Sequence, residues 1–293
     1  MSKHRAELKG RGVVRATGTD AGKLLDGLIT NDMDLLVDVP ALHAGLLSPQ
    51  GKILFAFFVI KSGDELFLDV AREHAAALVK RLNFYKLRAQ AQFTDVSAEM
   101  TVAVSWGGTT PSSVPRGILS YPDPRDPNLS QRMILPIARL PELGTMDATL
   151  DAYHTHRISL GVPDDGADYA AGDTFPHEAN FDLLNGVSFT KGCYVGQEVV
   201  SRTQNKAVVR KRIVRITGDD LVTGAEIKHG SGVVGTVGSV AGQSALATLR
   251  LDRAAEAVDK SEQLLVNGHA ISVDAGAIAS YRASAASRPV IDL

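Results

Sequence analysis

Lys191-Gly192-Cys193-Tyr194-Val195-Gly196-Gln197-Glu198 holds the one cysteine among 293 residues. Glycines bracket the cysteine, a lysine stands two residues before it, and an amide and a carboxylate follow within five. Read from these residues alone, two alternatives stand. Cys193 is either a small buried hydrophobe in a tight turn, or a reactive thiol supplied with local charge and with backbone amides freed by glycine.

Upstream, the pattern predicts a mixed half. Thr19 or Asp20 caps a helix running from Ala21 to Ile29. Ser48-Pro49-Gln50-Gly51 is a turn before a strand over 53–60, and Ser62-Gly63-Asp64 reverses the chain into a second strand over 65–70. An amphipathic helix over 72–84 and strands near 90–94 and 101–106 follow. Residues 107–128 are rich in Gly, Pro, Ser and Thr, which predicts an exposed connection. A helix over 147–160 stops at Gly161-Val162-Pro163.

Beyond residue 205 the texture changes to short β-branched runs separated by glycine, at 208–217, 233–240, 245–251, 263–266 and 270–273. That spacing predicts a small antiparallel barrel or sandwich. The chain length favours two domains, expected at 1–204, as two interleaved α+β subdomains, and at 205–293. The tail from Ser284 to Leu293 is expected to fray.

Composition excludes several classes. Hydrophobic residues make up 44% and charged residues 22%, with 31 basic side chains against 33 acidic. No overall field recruits nucleic acid or anionic lipid. The longest apolar run, Ile53 to Ile60, is too short to span a bilayer, and Met1 to Arg15 carries no apolar signal stretch. Together with a single cysteine, which forms no intramolecular disulfide, this reads as a cytoplasmic protein with no membrane and no nucleic-acid partner.

Other motifs are weaker. Gly230-Ser231-Gly232-Val233-Val234-Gly235 matches a dinucleotide-binding string, but a strand pattern follows where a helix is needed, so these are hairpin glycines. The eight histidines show no metal spacing, and Cys193 supplies at most one ligand, so no protein-held metal is expected. Arg202, Lys206, Arg210, Lys211, Arg212 and Arg215 are either a solvated edge or an anion site. Asp95 is either a turn aspartate or a hydrogen-bond partner for a heterocycle.

The stretch from Phe175-Pro176-His177-Glu178-Ala179-Asn180 through Asn185-Gly186-Val187-Ser188-Phe189-Thr190 to Glu198 resembles the signature of the YgfZ/Iba57 family. Members are folate-dependent proteins of iron-sulfur cluster assembly and repair, related to the glycine cleavage T-protein. Gly27-Leu28-Ile29-Thr30-Asn31-Asp32, Leu47-Ser48-Pro49-Gln50-Gly51-Lys52 and Tyr85-Lys86-Leu87-Arg88 support the resemblance. It implies an α+β, T-protein-like, ring-shaped folate-binding region with a C-terminal antiparallel β-barrel.

The resemblance further implies tetrahydrofolate or a related reduced folate as ligand, and iron-sulfur assembly or client proteins as partners. Cys193 falls on the motif cysteine, with Lys191, Gln197 and Glu198 beside it in the reactive set. Asp95, Asn31, Tyr194 and Arg202 are the expected folate contacts. The chain departs from the pattern at Arg157-Ile158-Ser159, where relatives carry a glutamate, and at Ala207, where glycine is frequent. Two other functions stay open: an aminomethyl transferase of the T-protein kind, and a non-catalytic folate-sensing adaptor.

Overall fold

Apolar and β-branched runs bounded by Gly, Pro and Asn form the strands, as their alternation requires. The computed structural model describes residues 4–108 and 114–287. The chain folds as two units, each discontinuous in sequence. The first contains Met1–Pro49, Ile53–Tyr153 and Leu184–Val195; the second contains Gln50–Lys52, His154–Leu183 and Gly196–Leu293.

In the first unit the elements run β1 (His4–Glu7), β2 (Arg11–Thr17), α1 (Ala21–Asp26), β3 (Ala41–Leu47), β4 (Ile53–Ser62), β5 (Glu65–Ala71), α2 (Arg72–Tyr85), β6 (Gln92–Asp95), β7 (Met100–Trp106), β8 (Leu119–Pro122) and β9 (Gln131–Pro136). They build two antiparallel sheets, ordered β3-β4-β5-β2-β6 and β1-β7-β9-β8. Helix α3 (Leu150–Ser159) follows. The predicted helices and strands of this half are present, with α1 ending at Asp26 rather than Ile29.

Period-2 alternation divides the first sheet into two unlike faces. Val14, Leu46, Phe57, Val59 and Leu68 pack with Leu25 of α1 and Leu78 and Leu82 of α2 in an apolar core. Arg11, His43, Phe58 and Asp69 stand at the intervening positions, and residues of the second sheet cover them. Asp69 is fully buried. Its carboxylate accepts from Arg11 Nε at 2.6 Å, from Arg132 Nε and Nη2 at 2.9 and 2.7 Å, and from Tyr121 Oη at 2.9 Å. Arg132 reaches on to Asp123, which Arg125 grips through two nitrogens. The three guanidinium carbons lie 4.7 to 5.6 Å from the centre of the Phe58 ring, placing cations over its electron-rich face.

The expected exposed connection over 107–128 is therefore corrected in its second half; 109–113 lie outside the described residues. Tyr121, Asp123 and Arg125 are buried, and Leu119–Pro122 is a strand. The prolines around Asp123 shape a loop whose polar side chains are consumed by the ion cluster, so its composition misleads.

In the second unit come α4 (Gln197–Lys206), β10 (Lys211–Gly218), β11 (Glu226–His229), β12 (Gly232–Ala241), β13 (Ser244–Arg250), α5 (Leu251–Asp259), β14 (Leu264–Val266), β15 (His269–Val273) and α6 (Ala275–Ser287). The strands close a barrel in the order β10-β13-β12-β11-β14-β15, all pairs antiparallel. The glycine string at 230–235 is the β11–β12 hairpin, with Gly230 at φ 58°. Ser284–Ser287 of the expected frayed tail are helical, and 288–293 lie outside the described residues. Of the basic run, Arg212 pairs with Asp182, Arg215 with Asp274 and Lys211 with Glu178, which favours a solvated, self-paired edge over an anion site.

Two outcomes follow from the buried charges. Replacing Asp69 with Asn strands two guanidinium groups and should lower unfolding free energy by about 3–5 kcal/mol in urea titration, whereas Asp69→Leu combined with Arg132→Met should cost less than the single change. The second concerns pH. Burial, reinforced by Arg125, lowers the His43 pKa to about 4, so between pH 6.5 and 4 the unfolded chain binds the extra proton. Stability should fall by roughly 3 kcal/mol across that window. Asp123 resists burial through Arg125 and stays ionised down to about pH 2, so a further loss should occur between pH 4 and 2. Denaturant titrations at stepped pH, with His43→Gln abolishing the upper slope, check the assignment.

Candidate functional site

The loop Leu184–Val195 of the first unit is assembled from sequence-distant pieces. Thr30 Oγ donates to the Gly186 carbonyl at 2.6 Å and accepts from Gly45 N at 2.8 Å. Ser188 N donates to the Thr30 carbonyl, and Asn31 Nδ2 donates to the carbonyls of His43 and Asn185, each at 2.8 Å. His43 Nδ1 donates to the Leu184 carbonyl at 2.9 Å. A carbonyl only accepts, so this nitrogen carries the proton. Asn185 has φ 55°, a left-handed conformation that asparagine tolerates better than most residues.

Lys191 pins the far end. Its ammonium, with only 1% of the side chain exposed, donates to the carbonyls of Asp26, Ile29 and Asn31 at 2.6, 3.2 and 2.7 Å, and to Asp26 Oδ1 at 3.0 Å. Those carbonyls belong to the turn leaving α1, where the helix stops and its carbonyls need new donors. Three residues on, Tyr194 is buried, and its ring centre lies 5.6 Å from the same ammonium. Burial pushes the Tyr194 hydroxyl up to about 12. Between these two anchors Gly192 and Cys193 are exposed, so the reading of Cys193 as a buried small hydrophobe fails.

The structure brings Lys191, Asn31, Tyr194 and the backbone flanking Cys193 together. Lys191 spends its charge on the α1 turn. Asn31 spends both amide atoms on the loop and on Asp32 N. Asp95, at the end of β6, is exposed, and its Oδ1 accepts from Ser97 N and Ser97 Oγ at 2.9 and 2.5 Å, closing a turn. Among the described residues no hydrogen bond joins Asp95 to the cysteine loop.

Gln197, Glu198 and Arg202 stand on α4 of the second unit. Gly196 precedes that helix at φ 83°, and Glu198 in its first turn complements the positive end of the helix. Arg202 is exposed and has no ion pair among the described residues. Gly51, also in this unit, sits at φ 81°, and a Cβ there would lie 2.9 Å from Val199 Cβ. Ala207, the expected departure, has φ −120° and is buried, a conformation for which glycine is unnecessary. Among the described residues no group of three or more His, Cys, Asp or Glu side chains is placed to hold a metal ion.

Sequence reasoning missed the charged cluster centred on Asp69, and His43 with it. The available signal was Asp69 itself, a carboxylate inside the run Leu66-Phe67-Leu68-Asp69-Val70.

The fold resembles that of a solved aminomethyltransferase. The chain matches the glycine cleavage system aminomethyltransferase T from Bartonella henselae with TM-score 0.73 at 15% identity, covering 94% of this chain and 86% of that one. Residues 210–278 match the family described as CAF17, C-terminal beta-barrel domain. Curated relatives include the mitochondrial iron-sulfur cluster assembly factor IBA57 homologues of Mycosarcoma maydis, 33% identical over 72% of this chain and 56% of that protein, and of Aspergillus oryzae, 31% identical over 73% and 57%. The chain is thus a homologue of the Iba57 assembly factors, as its cysteine motif implied, and it spans little more than half of their length. The expected cytoplasmic location is overturned by these relatives, which are named as mitochondrial proteins.

Anchoring and exposure separate cleanly in a stability measurement. Lys191→Met should cost roughly 3 kcal/mol, because a buried charge and its donated hydrogen bonds are lost together. Cys193→Ser should change stability by less than about 0.5 kcal/mol, as surface substitutions do. Urea midpoints of the two variants test this.

Proposed function

We propose that the protein assists the assembly or repair of iron-sulfur clusters and binds a reduced folate, with Cys193 as its working thiol. The observation that carries this reading is the exposed sulfur held between two buried anchors, Lys191 and Tyr194. A structural cysteine would be packed inward; this one is presented to solvent on a fixed base. The relatives' role in cluster assembly agrees with it. One cysteine offers a single soft ligand, so iron or sulfur held there needs its other ligands from a partner protein or a small thiol.

Folate binding rests on the likeness to the aminomethyltransferase fold. Bound folate would supply one-carbon or redox chemistry, and this chain's residues would orient it. Asp95 keeps Oδ2 free of hydrogen bonds and suits a ring N–H of the pterin. Asn31 acts at one remove, by holding the cysteine loop.

Cys193→Ala should abolish restoration of a cluster-dependent enzyme's activity in cells lacking their own factor, while leaving folate affinity within about twofold of wild type. Full activity in this variant removes the thiol from the mechanism. Tetrahydrofolate at 100 times its Kd should stabilise the protein by about 2.7 kcal/mol, read as a thermal shift. The fold likeness also favours a second reading, aminomethyl transfer, which predicts turnover of an aminomethyl donor that does not depend on Cys193.

A further inference from the structure

The segment Tyr85-Lys86-Leu87-Arg88 supported the family resemblance, yet none of it takes part in the cysteine loop. It lies at the end of α2, in the first unit, and its surroundings are unusual. Phe84 is 72% exposed and Leu87 is 88% exposed, two large apolar side chains left in water three residues apart. Leu87 also has φ 44°, the left-handed region that disfavours a side chain of its kind. Its neighbour Tyr85 packs against the apolar core and edge-on to Phe84, so the turn is held from beneath. Protein interiors absorb such side chains when they can; Leu87 stays outside, on a left-handed backbone.

Four cations surround the pair. Lys80 and Arg81 are one helical turn before Phe84 and share its surface, and Lys86 and Arg88 flank Leu87. Lys80, Arg81 and Arg88 are exposed, and among the described residues none of the four has an ion pair or side-chain hydrogen bond. Elsewhere Arg253 and Lys260 are paired with carboxylates while Arg202 is exposed and, among the described residues, unpaired, so what sets this patch apart is the two exposed hydrophobes among its cations. The negative end of the helix accounts for cations near it, but not for two exposed hydrophobes among them.

We propose that this patch docks a partner protein through an acidic segment carrying apolar side chains, the carboxylates meeting Lys80, Arg81, Lys86 and Arg88 and the apolar groups covering Phe84 and Leu87. An exposed hydrophobic centre ringed by charge is the arrangement of a protein interface. A membrane is the poorer fit, because two side chains insert too little apolar surface and the chain's net charge of −2 gives no general attraction to anionic lipid. The same net charge disfavours nucleic acid.

The test uses the full chain and a fluorescein-labelled peptide in which Asp and Glu alternate with Leu and Phe, titrated by anisotropy at 25 and 200 mM salt. Saturable binding that weakens with salt is expected. Arg81→Glu with Arg88→Glu should weaken it at least tenfold, and so should Phe84→Ser with Leu87→Ser, whereas Lys61→Glu, outside the patch, should change it less than twofold. Leu87→Gly removes the strain, so its melting temperature should be unchanged or higher while peptide affinity falls at least threefold; this separates docking from folding. Equal losses for Lys61→Glu and the patch variants would overturn the proposal. So would stronger patch-dependent binding to vesicles of 30% phosphatidylglycerol or to single-stranded DNA than to the peptide, or concentration-dependent self-association that the patch variants abolish.

Discussion

Asp69 is the constraint on which the first unit rests. A carboxylate placed on a central strand, fully out of water, is tolerable only with cations brought to it, and they come from both sheets: Arg11 from its own, Arg132 from the other. Burial works against the charge, and the two guanidinium groups outweigh it, holding the carboxyl below its usual range. The sheets are therefore joined by a directional contact as well as by apolar packing. Phe58 lies at the middle of it, with guanidinium groups near its ring and His43 beside it at 5.6 Å. Through the His43 bond to Leu184 the same cluster touches the loop that presents Cys193.

Seen from the cysteine, the site is a problem of presentation. Flexible glycine-flanked sulfur has no defined position, and a buried one has no access. The loop resolves this by sinking Lys191 and Tyr194 on either side. The lysine two residues before the cysteine is thereby a structural cation, anchored in the turn after α1.

Much of this was legible in the chain. The hairpin of β4 and β5, helix α2 and most barrel strands follow their periodicity, and the hairpin reading of 230–235 holds because a strand follows those glycines. The family motif also pointed to the aminomethyltransferase fold. Alternation, however, tells which residues share a face and not what covers that face. Arg11, His43 and Asp69 have the polarity of solvent-facing positions and are covered because a second sheet closes over them. The loop carrying Asp123 and Arg125 has the composition of an exposed linker, because prolines shape a buried turn as readily as a surface one. Asp95 kept both of its readings: it closes a turn with one oxygen and leaves the other available.

The path of the chain has its own consequence. Residues 1–49 and 53–153 build one unit, 154–183 the other, 184–195 return to the first, and 196–293 complete the second. No single cut separates the two bodies with both whole. A gene encoding such a protein resists modular shuffling: recombination at any one point leaves at least one of the two bodies without a segment that completes it.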